Sequence, residues 1–201
     1  MPGVTCRNAV VFFAWAIGGG SFYLPDNVGI DIGGNAIDTI KYVLLETHYD
    51  NPTNKEGIID SSGLKLWYTP TLREYSAGVL QIGLNPVESP FKWVQWPPIS
   101  QFIPPGIERA VNYGYCFSDC LNEGLNGTKI YAFANMLHSH LLGREIILRQ
   151  IRDGKELRPL DMNIAYDFNY QQSTPFNQHI EILPGDELIV ECVYDLSLIH
   201  I

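Results

Sequence analysis

The stretch that decides the fold is Lys129–Gly154, KIYAFANMLHSHLLGREIILRQIRDG: two runs rich in apolar and aromatic residues, joined by Leu142-Gly143 and closed by Asp153-Gly154. Short apolar and aromatic runs bounded by turn residues are a strand signature, and Asp-Gly is a strong two-residue hairpin signal. Strands are expected over 129–141 and 144–152. In an extended segment alternate side chains share a face, so His138 and His140 project together, with Met136 on the same side. The other side carries Tyr131, Phe133, Leu137 and Leu141, which predicts a strand buried on both faces. An imidazole there needs a hydrogen bond or a metal. Two readings stand at this point, a metal clamp or two satisfied core histidines.

Working outward, the same pattern repeats. KYVLLETHYD, LKLWYT, AGVLQIGL and DELIVECVY read as strands, Pro184-Gly185-Asp186 reads as a turn, and no helical periodicity persists beyond about ten residues. The chain is therefore expected to be all-β, built of sandwiches. Residues 86–106 hold six prolines and two tryptophans and read as an extended surface loop. A domain boundary is expected near Pro70. The chain has 201 residues, 46% of them hydrophobic, enough for a core. Its 22 acidic against 13 basic residues give a net charge of -9 with no Lys/Arg run, which argues against a nucleic-acid or anionic-membrane binder. AVVFFAWAIGGG is too short for a bilayer span, lacks the basic flank of a signal peptide, and reads as a buried strand.

His48 lies on one strand face with Glu46, just before the Asp50-Asn51-Pro52 turn; taken alone it reads as a core histidine. The four cysteines, Cys6, Cys116, Cys120 and Cys192, fit a disulfide framework or free thiols equally. Asn126-Gly127-Thr128 is an N-glycosylation acceptor sequence. His138-x-His140 with Glu145 approaches the ligand spacing of a cupin, an iron or manganese enzyme. The cupin glycines and final histidine are absent.

Taken in order, CRNAVVFFAWAIGGGSFYLPDNVG, LETHYDNP, DSSGLKLWYT, AGVLQIGL, IPPG, GYCFSDC, HSHLLGREI, RDGKEL, YDFNYQ and LPGDELIVECVY resemble the copper type II, ascorbate-dependent monooxygenases. The likeness is to the branch of dopamine beta-hydroxylase, tyramine beta-hydroxylase and DBH-like monooxygenases, and runs from Cys6 to about Asp195. It implies two jelly-roll β-sandwiches, one copper in each, with ascorbate as reductant. Residues 1–70 correspond to the C-terminal part of the first domain and 71–195 to an incomplete second domain. By position His138 and His140 would hold the oxygen-binding copper and His48 the electron-transfer copper. Imidazole suits copper. The implied reaction hydroxylates a C–H bond of a small, phenylethylamine-like substrate with dioxygen. The implied setting is the secretory pathway, secreted or vesicular, with membrane association or homo-oligomerisation of the intact parent left open.

Several departures accompany the resemblance. No adjacent His-His pair exists to complete the first copper site, and no downstream Met completes the second. By family position Cys6, Cys116, Cys120 and Cys192 would each pair with a residue outside the chain. Gln81 stands where the catecholamine branch carries Glu in G-x-x-E-x-G-L, which puts an amine substrate in question. Residues 196–201, LSLIHI, break from the pattern and read as a translated sequencing adaptor, so His200 is assigned no function. The chain by itself is expected to be inactive or barely active. The competing expectation is a non-catalytic β-sandwich binding relative without complete copper sites.

Overall fold

The computed structural model describes residues 11–34, 40–83 and 103–197. Nine strands and one short helix make up its regular structure among these residues, and the fold is all-β. Two compact units divide the chain, one of Tyr23–Gly78 and one of Met1–Phe22 with Val79–Ile201.

The larger unit is built around two sheets. β3 (Ala110–Cys116), β9 (Glu187–Tyr194), β5 (Gly143–Arg152) and β6 (Lys155–Glu156) lie in that order, with β7 (Asp161–Asn163) also on β5. β4 (Ile130–Asn135) pairs with β8 (Thr174–Ile182) in a second sheet. The helix α1 (Ser118–Leu125) connects them. Alternation decides which face turns inward: Ile146, Leu148 and Gln150 of β5 are buried, and Leu188 of β9 is fully buried. Cys116, Leu148 and Leu188 of the first sheet pack with Ile182 and with Ile130, Ala132, Phe176 and Ile180 of the second; Leu121 and Leu125 of α1 complete this core. That is a sandwich, each sheet burying one face against the other.

The turns follow local chemistry. Asp153 (φ 52°) and Gly154 (φ 70°) both adopt the left-handed region, so β5 and β6 close as a two-residue hairpin with Arg152 opposite Lys155. Between β8 and β9 the Asp186 amide donates to the Leu183 carbonyl at 3.1 Å, with Pro184 at the second turn position and Gly185 at φ 92°. The buried Asp186 carboxylate pins this turn. It accepts the Leu183 amide at 2.8 Å and the Gln150 side chain at 2.7 Å, and takes a two-pronged contact from Arg152 at 2.8 and 2.9 Å.

The smaller unit departs from expectation. Its strands are β1 (Val28–Gly29) and β2 (Tyr75–Ser76), paired in parallel, with a single bridge between Ile32 and Ile40. KYVLLETHYD and LKLWYT are extended and unpaired among the described residues, with Tyr42 and Trp67 exposed. AGVLQIGL, which straddles the two units, forms no strand over 77–83, where the Ala77 amide donates to the Gly29 carbonyl at 2.7 Å. A period-two pattern makes a strand only where a neighbouring backbone completes the ladder. Residues 11–20 are likewise not a strand: Ala16–Gly19 form a turn, the Gly19 amide donating to the Ala16 carbonyl at 2.9 Å with Gly18 at φ 90°. The proline-rich loop, apart from Ile103–Gly106, lies outside the described residues, as do Cys6 and residues 198–201. The Leu196 backbone prolongs the pairing of β9 with the segment before β3, its carbonyl accepting the Gly106 amide at 3.2 Å and its amide donating to the Ile107 carbonyl at 2.8 Å.

Candidate metal centre

β4 ends at Asn135, so His138 and His140 lie not in a strand buried on both faces but in the connection to β5. Both histidines are exposed, with Ser139 buried between them. The backbone stays extended there, and so the expected common face survives: the two rings meet edge to face, centroids 5.2 Å apart. The strand stops where its pairing with β8 ends, at Asn135 opposite Thr174, and the chain turns into β5 after the histidines. The Gly143 amide donates to the His140 carbonyl at 3.1 Å across Leu141-Leu142, and Leu142 takes φ 76°, costly for a leucine. Gly143 suits this corner, since an added Cβ would lie 2.6 Å from Ser139 Oγ and force it to shift.

Long-range hydrogen bonds hold this connection. The Tyr166 hydroxyl donates to the Ser139 carbonyl at 2.7 Å and accepts the Ser139 amide at 2.9 Å, satisfying both backbone groups of a buried residue with one side chain. Ser139 Oγ donates to the Tyr194 hydroxyl of β9 at 3.0 Å. Burial pushes both tyrosines above the usual phenol range, opposed in each case by its bond to Ser139, so both remain hydroxyls. His138 Nδ1 faces the Oε1 of buried Gln171, the last residue of the YDFNYQ motif. Sequence reading assigned no role to Tyr166 or Gln171; the sole trace was their place in that motif.

The chemistry of this donor set fits copper in part. Two imidazoles on one exposed face suit the ion, whereas among the described residues no group of three His, Cys, Asp or Glu side chains converges. Met136 is half-buried and Met162 of β7 is exposed. Glu145, the candidate third ligand of the cupin reading, faces Arg109 at 3.5 Å instead.

His48 belongs to the smaller unit. It is not a core residue: its side chain is 83% exposed, and Nε2 meets Glu46 Oε1 at 2.5 Å, the neighbour that alternation places beside it. Asn51 shapes the following turn, accepting the Lys55 amide at 3.1 Å and donating to its carbonyl at 2.9 Å. Gln81 is exposed in an extended segment. Asn126 caps α1 in the left-handed region at φ 46°, exposed with Thr128 in one turn. Cys116 in the core and exposed Cys120 bring their Sγ atoms to 3.3 Å, and Cys192 is a half-buried thiol.

Residues 93–197 match the copper type II ascorbate-dependent monooxygenase, C-terminal domain, and residues 2–56 match the N-terminal domain of the same family. DBH-like monooxygenase protein 1 of Gallus gallus is 45% identical over 196 residues, covering 96% of this chain and 30% of the relative. The Homo sapiens protein of that name is 44% identical over 198 residues, covering 97% of this chain and 30% of the relative. Dopamine beta-hydroxylase of Canis lupus familiaris is 36% identical over 190 residues, covering 94% of this chain and 28% of the relative. The chain thus spans about 30% of the length of the curated relatives it matches. With one domain description covering more than half of it, the chain belongs to the copper type II ascorbate-dependent monooxygenase family.

Proposed function

We propose that this chain carries part of the copper apparatus of a monooxygenase that hydroxylates a C–H bond of a small, phenylethylamine-like substrate, with dioxygen as oxidant and ascorbate as reductant. The observation that supports this most is the His138–His140 pair, two imidazoles presented on one exposed face from a connection tied down by Tyr166 and Tyr194. His138 and His140 would hold the oxygen-binding copper, and His48 would contribute to the electron-transfer copper. The metal would supply the one-electron chemistry that side chains lack. What these residues contribute is placement: the clamp on Ser139 fixes the backbone between the two rings before the ion arrives, which lowers the ordering cost of binding. His48 would have to exchange Glu46 for the ion.

The domain assignment belongs to the same reading: residues 1–70 to the first domain and 71–195 to the second. So does a secretory-pathway location, in which exposed Asn126 would carry an N-linked glycan. Gln81 would sit near the substrate, a neutral amide where the catecholamine branch carries Glu, so that position would offer no carboxylate to a substrate amine.

Titration of the reduced chain with Cu(I) under a competing chelator tests the assignment. The expected result is a weak site of one ion, because two imidazoles without a third donor hold copper loosely, and its loss in both His138→Ala and His140→Ala. A tight stoichiometric site that survives His138→Ala would refute it.

A further inference from the structure

We propose that Gln171 is a positioning residue for the metal centre: its buried amide holds His138 in the Nδ1–H tautomer, so that Nε2 carries the lone pair on the exposed side where an ion would bind. This rests on the reading of His138 as a ligand.

The argument begins at the far end of the amide. Gln171 Nε2 donates to the Phe168 carbonyl at 2.8 Å. A carbonyl accepts and cannot donate, so that end must be the NH2 group, and Oε1 must be the end facing His138. An amide oxygen only accepts. The imidazole nitrogen opposite, Nδ1, must therefore carry the proton, and in the neutral ring Nε2 is left unprotonated. Neither end of the amide can turn over without setting two acceptors against each other. Gln171 is 5% exposed, so water cannot readily replace either contact. The His138 ring also meets the His140 ring, edge to face, and among the described residues no hydrogen bond engages Nε2.

The seat of Gln171 is itself constrained. Its loop is held by the Tyr170 amide donating to the Asp167 carbonyl at 3.0 Å and by Asp167 Oδ1 accepting the Asn169 amide at 2.9 Å. The Gly18-Gly19 turn lies against it. A Cβ on Gly18 would come within 3.2 Å of the Tyr170 ring, and one on Gly19 within 3.4 Å of the Gln171 carbonyl. Trp15 Nε1 donates to the Gly19 carbonyl at 2.7 Å and stiffens that turn. A glycine turn from the segment matching the N-terminal domain thus backs the residue that orients a histidine of the C-terminal domain.

Long-range 1H–15N correlation spectra of the metal-free full chain test this, with His138 assigned by its loss in His138→Ala. The expected wild-type pattern is the Nδ1–H tautomer. Gln171→Ala should give the mixed tautomers of an unrestrained imidazole and a Cu(I) affinity lower by roughly 10- to 100-fold. Gln171→Glu keeps an acceptor beside Nδ1 and should keep that nitrogen protonated even where thermal stability falls, which a packing role alone would not predict. An Nε2–H tautomer in the wild type overturns the proposal, as does an unchanged tautomer in Gln171→Ala. Copper affinity that ignores His138→Ala would instead overturn the ligand reading, while the metal-free spectra would still decide the role of Gln171.

Discussion

Tyr166→Phe isolates the clamp on the histidine connection. The substitution keeps the ring, so no cavity opens, and deletes one hydroxyl. That hydroxyl serves both backbone groups of Ser139, at 2.7 and 2.9 Å, in a site where Ser139 and Tyr166 are each 4% exposed. Each orphaned buried backbone group costs about 1–3 kcal/mol. Removing the buried hydroxyl relieves its own desolvation, so the net loss should fall near 2–3 kcal/mol, about 30- to 150-fold in the folding constant. At a urea slope of about 2 kcal/mol per molar, the unfolding midpoint should drop by about 1–1.5 M with the slope unchanged. Tyr194→Phe is the comparison: it removes one bond to a rotatable serine hydroxyl and should cost about 1 kcal/mol. Hydrogen exchange should accelerate at the Ser139 amide in Tyr166→Phe and not in Tyr194→Phe. The sign with pH also follows. Burial raises the folded-state pKa of Tyr166 above the ordinary phenol value near 10, so stability present below about pH 10 is lost as pH rises toward the folded pKa. Tyr166→Phe should flatten part of that alkaline loss. A midpoint within 0.2 M of wild type, or Tyr194→Phe proving the costlier change, would refute the reasoning.

Other outcomes follow from neighbouring features. Gly143→Ala forces a Cβ to within 2.6 Å of Ser139 Oγ and should cost about 1–3 kcal/mol in urea unfolding while also weakening Cu(I) binding, since the displaced residue lies between the histidines. Asp186→Asn should cost about 2 kcal/mol, a figure kept modest because Arg152 is partly exposed. Burial raises the Asp186 pKa, but Arg152, the Leu183 amide and Gln150 together outweigh it and leave the pKa lowered; this stability is full above pH about 4 and is lost as pH falls through the folded value, a slope the Asn variant should lack. Burial and then the neighbouring Cys120 push the Cys116 thiol up to about 11, so at pH 8 iodoacetamide should label it roughly a hundredfold more slowly in the folded chain than in urea. Equal rates would show that the thiol is not held in the core. In air the two thiols, 3.3 Å apart, should oxidise together, read as a loss of two hydrogens in the peptide containing both; mixed-disulfide dimers would contradict this.

Local pattern carried much of this molecule. The hairpin at Asp153-Gly154, the turn at Pro184-Gly185 and the strands β5 and β9 were all legible, because positive-φ residues and period-two alternation act within a few residues of chain. The shared face of His138 and His140 was legible for the same reason, and the collinear motifs indicated the family. Tertiary structure decided the rest. Where β4 stops depends on its partner β8, whose pairing ends at Asn135 opposite Thr174, so the histidines emerge exposed rather than buried in a strand. The segments KYVLLETHYD and LKLWYT show the converse: strand-like composition without a ladder partner among the described residues leaves extended, exposed chain. Tyr166 and Gln171 reach Ser139 and His138 across 27 and 33 residues, and no periodicity records a contact of that range. Sequence specified which side chains could face together; only the folded backbone specified which distant groups would hold them there.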